Sequence, residues 1–351
     1  MLVMMSEEWP IAAETADRQV EPARRVGGKR LSAVRRDFFL DPTARLSEQK
    51  RALMTAMLDD LVVTIADEII VGLPDGLDTL GAQGHDQLIS RLWASGLLDR
   101  PRLVALLLRR ADEQRLSGAL HLRRSPSRSP LLQRWVADSY GDLAVCAMAL
   151  VIMRGRRHDR HGQGRLLLND LPAEEAVALV NAVAAALVAP LPDLPAIERA
   201  LADGANGLLS RHDEGERIDA MLAGLIRILE KAGRLDDALA EEAVEEGEVA
   251  LLSALLARRA AVPEEIAWDH LVAGGDGRLV LLARLAGLAR PTTARLVAEL
   301  GTLTGILDPA ADMKRFDGLG ADAVEDLRGE WRLPSAYRRA RRRLAGASRR
   351  G

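Results

Sequence analysis

A single cysteine, Cys146, serves all 351 residues. One thiol can build neither a disulfide framework nor a cysteine-based zinc site. Aromatic side chains are scarce as well, with five Trp, two Tyr and three Phe. That poverty argues against proteins that stack bases on aromatic platforms. Lysine is nearly missing: apart from Lys29, Lys50, Lys231 and Lys314, the 48 basic residues are arginine. A GC-rich genome explains this bias simply, and arginine is also the better fork for carboxylates and phosphates. Against 51 acidic residues the net charge is −3, too balanced for a general nucleic-acid coat. Long apolar runs are missing too. The longest, Leu143 to Met153 (LAVCAMALVIM), has eleven residues, roughly 16 Å of helix and about half a bilayer core. It predicts a buried core helix and no membrane contact. Met1 to Met5 runs into Glu7 and Glu8 with no apolar segment behind them, so no secretory leader is expected and the protein is expected to be cytoplasmic.

What is present is leucine and alanine. Hydrophobic residues make up 48% and charged residues 28%, the balance of a soluble globular chain rather than a disordered one. The scarcity of aromatic and β-branched residues favours helix over sheet, and no segment alternates long enough to predict a strand. The fold class expected is all-α. Residues 1–41 lack apolar periodicity and predict a disordered or loosely docked arm. From Leu46 the pattern changes. Leu53, Met54, Met57, Leu58, Leu61, Val62, Ile65, Ile69 and Ile70 recur at spacings of three and four, one stripe along a helix that ends near Gly72 and Pro74. That stripe can pack within its own domain or serve as a homodimer seam through residues 46–71. Shorter helices follow around 84–95, 101–110, 130–138 and 142–154, completing an N-terminal helical subdomain over 42–155. After a basic loop at 156–170, a C-terminal subdomain over 171–335 holds helices near 172–189, 194–210, 214–232, 236–244, 247–259, 263–273, 276–288, 291–304 and 320–330. Pro172, Pro263 and Pro291 mark first turns. A basic tail, 336–351, closes the chain.

Weak internal similarity points to repeats. Leu251–Ala257 resembles Leu281–Gly287 thirty residues on, and a proline-started helix follows each. Helix pairs of about 30 residues with degenerate apolar positions are the pattern of stacked helical repeats. The stretches ALLARRAAVPEEIAWDHLVAGGDGRLVLLARLAGLARPTTARLVAEL (254–300) and FDGLGADAVEDLRGEWRLPSAYRRA (316–340) resemble an uncharacterised bacterial family of helical, HEAT-like repeat proteins, a domain of unknown function. The likeness runs from about Leu46 to Ala340. It implies antiparallel helix pairs stacked as an α-solenoid, and it implies no activity, because the family has no agreed catalytic residues.

The constellations that could carry chemistry are incomplete. His85-Asp86, His158-Asp159 and His212-Asp213 are His-Asp pairs, and a set drawn from His121, His158, Asp159 and Asp219 would suit an all-helical metal-dependent phosphohydrolase. His158-Asp159, however, lies among Arg154, Arg156, Arg157 and Arg160, cations that repel a metal. His158 and His161 are three apart but lack further ligands. There is no GxxxxGK[ST], no GxGxxG after a strand and no GxSxG. Cys146 reads as a small core residue. No catalytic residue, metal or cofactor is expected.

Charge clusters remain: Arg123 to Arg134, Arg154 to Arg165, and seven arginines between Tyr337 and Arg350, against an acidic segment from Asp236 to Glu248. Separate stretches of opposite charge on stacked helices suit electrostatic recognition. Arg124, Arg128, Arg157 and Arg342 are the candidate contacts for an anionic partner. The function expected is a non-enzymatic scaffold or regulatory adaptor that binds an unidentified protein. A nucleic-acid-backbone binder is the first alternative and the phosphohydrolase the second.

Overall fold

The computed structural model describes residues 47–73, 84–123, 129–159, 162–188, 195–272 and 277–333, with 337–338, 340–341 and 344. The expected arm at 1–41 lies outside them, as does most of the basic tail. Fifteen α-helices and no strand occur among the described residues, so the chain is all-helical. In order they are α1 (Glu48–Val71), α2 (His85–Ala94), α3 (Pro101–His121), α4 (Leu131–Val136), α5 (Gly141–Arg156), α6 (Ala173–Val188), α7 (Pro195–Leu209), α8 (Ile218–Lys231), α9 (Asp237–Glu245), α10 (Val249–Ala260), α11 (Glu264–Val272), α12 (Arg278–Leu285), α13 (Arg290–Thr304), α14 (Pro309–Gly318) and α15 (Ala321–Arg332). Short 3-10 turns sit at Leu168–Asp170 and Glu214–Glu216.

Local signals explain many of the boundaries. Ser47, Asp236 and Asp308 accept a backbone N–H from the first turns of α1, α9 and α14, which satisfies one of the donors every helix start leaves open. Pro291 and Pro309 occupy first-turn positions, where a missing N–H costs nothing. Two elements depart from the sequence expectation. The helix expected to end at 110 continues to His121, because Arg109, Arg110, Asp112 and Glu113 are held in ion pairs rather than turned out into a loop. α14 was not anticipated, although Asp308-Pro309 is a helix-start signal.

The chain divides into two compact units that interleave along the sequence. One is formed by residues within 47–115 and 132–225, the other by residues within 116–131 and 226–344. Between described residues the divisions fall inside α3, after the first residue of α4 and inside α8.

In the first unit α1 lies in a cradle of α2, α6 and α7. Its stripe of Met54, Met57, Leu58, Leu61, Val62, Ile65, Ala66 and Ile69 is buried by these neighbours and forms the centre of the core. Of the stripe that could have offered a homodimer seam, seven residues are buried within the chain and Leu53 and Ile70 are partly exposed. α7 comes close because Gly204 has no side chain: a Cβ there would stand 3.2 Å from the Ile69 carbonyl oxygen.

The second unit is built around α10 and α12. Ten of the twelve residues of α10 are buried, as are six of the eight in α12. A helix buried on nearly every side must be wrapped by others. α9, α11 and α12 pack on α10, while α11, α13, α14 and α15 pack on α12. α9 also lies against α13. Arg295 of α13 pairs with Glu241 at 2.8 Å and with Glu245, and Thr292 donates to Glu241 at 2.6 Å. The Thr292 hydroxyl and Arg295 hold the Glu241 carboxyl below its ordinary range.

Two predictions follow from this second unit. Gly247, between α9 and α10, has φ +70°, and a Cβ there would meet the Ser117 carbonyl oxygen at 3.1 Å and His121 Cε1 at 3.2 Å. Gly247→Ala is expected to cost about 2 kcal/mol, combining left-handed strain with crowding. An unchanged denaturant midpoint would show that the turn relaxes freely. His270 is buried on α11 with its ring edge-on to Trp331 at 5.0 Å, and its Nδ1–H donates to the Ile266 carbonyl at 2.8 Å. Nε2 has no hydrogen-bond partner. Burial favours the neutral ring and pushes the pKa down to about 4. The unfolded chain then binds the proton more readily than the folded one, so stability contributed by the neutral ring is full above about pH 6.5 and falls as pH drops toward 4, by about 3 kcal/mol in all. His270→Leu should flatten the melting temperature's dependence on pH over that window; an unaltered slope would assign the acid sensitivity elsewhere.

Candidate functional site

Of the four arginines singled out for an anionic partner, Arg124, Arg128 and Arg342 lie outside the described residues. Arg157 is not on the surface. It is 6% exposed, and its Nε and Nη2 grip Asp170 at 2.7–2.9 Å in a bidentate pair. Its remaining donors reach the carbonyl oxygens of Met153 at 2.9 Å and Glu216 at 3.0 Å. The side chain expected to bind a partner is consumed by the fold.

That pair is part of a larger network in the first unit. The Leu167 N–H donates to Asp170 at 3.1 Å. Arg110 approaches Asp170 at 4.0 Å, Asp219 at 3.3 Å and Glu113 at 2.6 Å. Arg109 and Arg217 add to Asp219 at 3.4 and 3.9 Å. Burial pushes Asp219 toward protonation, but the guanidiniums of Arg110, Arg109 and Arg217 prevail and hold its carboxyl below the ordinary range. Burial likewise opposes the charge on Arg110, and Glu113, Asp219 and Asp170 outweigh it, raising the pKa further. Guanidiniums that never lose their proton cannot act as acids or bases here. The network holds elements together: α3, the end of α5, the Leu168–Asp170 turn, the Glu214–Glu216 turn and the start of α8.

Described residues of the other charge clusters are also engaged. Arg165 pairs with Asp60 at 2.8 Å, and Arg123 with Glu299 at 3.9 Å. In the acidic segment, Asp237 accepts from Arg259 and from the Ala289 N–H, both at 2.7 Å. Glu246 is buried. Described residues on the two sides of the loop at 156–170 are tied together: the Arg165 N–H donates to the Arg157 carbonyl at 2.8 Å, the Asp159 carboxylate accepts the Gln163 N–H at 2.7 Å, and His158 faces Gly164 across an isolated bridge.

The drafted metal set is not assembled. His158 donates from Nδ1 to the Arg154 carbonyl at 2.9 Å, and Asp219 is committed to arginine. No group of three or more His, Cys, Asp or Glu side chains able to hold a metal ion occurs among the described residues. Cys146 is half-buried beside the Met221 carbonyl, and burial raises its thiol pKa, which makes it a weak nucleophile. A groove of about 560 Å³ lies between the end of α1 and α7, where Glu68, Arg199, Asp203 and Arg211 mix both charge signs.

One surface escaped the sequence reading. α5 was expected to be a buried core helix, and half of it is. Leu143, Ala147, Leu150 and Met153 are buried, but Val145 is 72% exposed, Ile152 50% and Met148 44%. The signal was available: eleven consecutive apolar residues make a helix apolar on every side, and a helix at a surface can bury only one of them. Among the described residues no helix is long and apolar enough to cross a membrane.

Residues 127–319, from α4 to α14, match a family described as uncharacterised proteins conserved in bacteria (DUF2336). The chain belongs to that family. The match is narrower than the 46–340 that the resemblance suggested and leaves out α1, α2, α3 and α15. No curated protein and no solved structure matches the chain.

The Arg157–Asp170 pair gives a direct test of the network. Arg157→Ala and Asp170→Ala should each cost about 3–5 kcal/mol, since each leaves a buried charge unpaired. The double variant should cost clearly less than the sum of the singles. Additivity in denaturant titrations would mean that the two charges are solvated independently.

Proposed function

We propose that this protein is a non-enzymatic, cytoplasmic interaction scaffold built on HEAT-like helix pairs, and that its contact surface is the exposed row of α5. The observation that carries this is the exposure of Val145, Met148 and Ile152 on one face of a helix whose opposite face is buried. Apolar side chains left together on a surface are characteristic of protein contact sites. The arrangement of charge supports it. Arg123, Arg157 and Arg165, from clusters that would have served a phosphate backbone, are held by carboxylates of the same chain, which lowers their value as phosphate ligands. The helix pairs α10–α11 and α12–α13 begin about thirty residues apart, in keeping with a repeat origin. An adaptor role needs no catalytic group.

The test is a tagged pull-down at two salt concentrations, with and without nuclease, comparing the native chain with Val145→Glu/Ile152→Glu. Discrete proteins that survive nuclease and moderate salt, and that the variant loses, are expected. Recovery of nucleic acid, with neighbours lost on nuclease treatment, overturns the scaffold in favour of a backbone binder. Identical capture by the variant removes α5 as the contact surface.

A further inference from the structure

The exposed face of α5 has an order of its own. Gly141, Val145, Met148, Ile152 and Gly155 follow one another at spacings of four, three, four and three, the spacing of a helix–helix seam. The row is nearly symmetric about Met148: glycine lies seven residues to either side, and Val145 and Ile152 fall at matching heights. Charge is arranged about the same centre. Asp142 stands exposed in the first turn and Arg156 exposed at the last residue, both toward one flank of the row. Among the described residues Arg156 contacts the Met153 sulfur at 3.8 Å, and the residue is exposed.

We infer that α5 is a self-association helix, pairing antiparallel with α5 of a second copy across a two-fold axis at Met148. This rests on the exposed face being the contact surface proposed above. A two-fold perpendicular to both helices brings like flanks together, so Asp142 of each copy meets Arg156 of the other. A parallel pairing has its two-fold along the helices and puts like flanks on opposite sides of the seam at equal heights, so Asp142 and Arg156 gain no partner across it. Antiparallel pairing also opposes the two helix dipoles. Gly155 fits the same picture. Within a helix glycine costs about 1 kcal/mol relative to alanine, and a Cβ at Gly155 would have nothing within 4 Å. Glycine there leaves room for a second helix to cross close by. A seam of one 16-residue helix is small for a protein interface, so the dimer is weak and depends on concentration.

The experiment is sedimentation of the full chain over a concentration series. A monomer–dimer equilibrium is expected, with the dissociation constant raised about tenfold or more by Val145→Glu/Ile152→Glu. Asp142→Arg and Arg156→Asp should each weaken the dimer, and the two together should restore it. In a Cys146→Ala background, Met148→Cys should form a disulfide with itself on mild oxidation, because only a residue near the axis meets its own copy. Val145, Met148 and Ile152 are exposed, so unchanged circular dichroism and melting are expected for these variants. A protein monomeric at every concentration overturns the inference, as does a dimer indifferent to the charge exchange or unable to link through position 148. A monomer whose glutamate variant still loses captured proteins overturns self-pairing while leaving α5 as a docking face for others. A dimer that behaves as expected, with protein capture unaffected by the variant, supports self-pairing and removes only α5 as a docking face for other proteins.

Discussion

The first unit depends on Arg157 and Asp170. Both are buried, and a lone charge at either position would be severely unfavourable. The bidentate geometry answers that cost with parallel charge-assisted bonds. The guanidinium's other donors and the second carboxylate oxygen are then spent on backbone groups of Met153, Glu216 and Leu167. The end of α5 and two stretches of irregular chain become fixed to one point. Arg110 and Asp219 extend that point into α3 and α8. The consequence for function is a subtraction: the basic stretch from Arg154 to Arg165 has Arg157 facing inward.

Arginine does a second job in the other unit, one that aromatic residues would often do elsewhere. With few large rings to fill gaps, helix ends are joined by guanidiniums reaching across. Arg259 of α10 donates to the carbonyls of Ala286 and Gly287, and Arg328 of α15 donates to Leu285. These are the open acceptors at the end of α12, which no intrahelical N–H can satisfy. A cation at that end also complements the helix dipole. Arg284 repeats the device at the Leu319 carbonyl while lying 5.2 Å over the Phe316 ring. Lysine, with a single compact ammonium, could not bridge two carbonyls and a carboxylate as Arg259 does. The arginine bias thus has a structural use, whatever its genomic origin.

Much of the helical framework was legible because it rests on local signals. The α1 stripe, the proline starts at 172, 263 and 291, and the all-α class follow from periodicity and capping alone. What was hidden is pairing over long sequence distance. Nothing near Arg157 reveals that Asp170 will neutralise it or that Glu216 will offer a carbonyl, so a cluster of cations reads as a solvated surface. The charged run at 109–113 read as the end of α3 for the same reason, since its partners Lys50 and Asp219 lie far along the chain. The interleaved units were hidden too: a division inside a continuous helix leaves no composition change to detect.

α5 shows the opposite error, where a correct local reading was carried too far. Apolar composition on every side argued for burial on every side, and the chain covers only one of them. Leaving Val145, Met148 and Ile152 in water forgoes stabilisation of about 1.5–3 kcal/mol for each that could have been buried. It also adds a surface liable to adhere to other molecules. A chain with no use for that face could replace the three residues by polar ones without disturbing Leu143, Ala147 or Leu150 beneath. Their arrangement in a seam, with glycine at both ends and opposite charges at mirrored positions, is hard to obtain from core packing, which acts only on the other side of the helix. Such a row is what the contact face proposed for α5 requires, since a docking surface has to keep its apolar side chains where the core cannot use them.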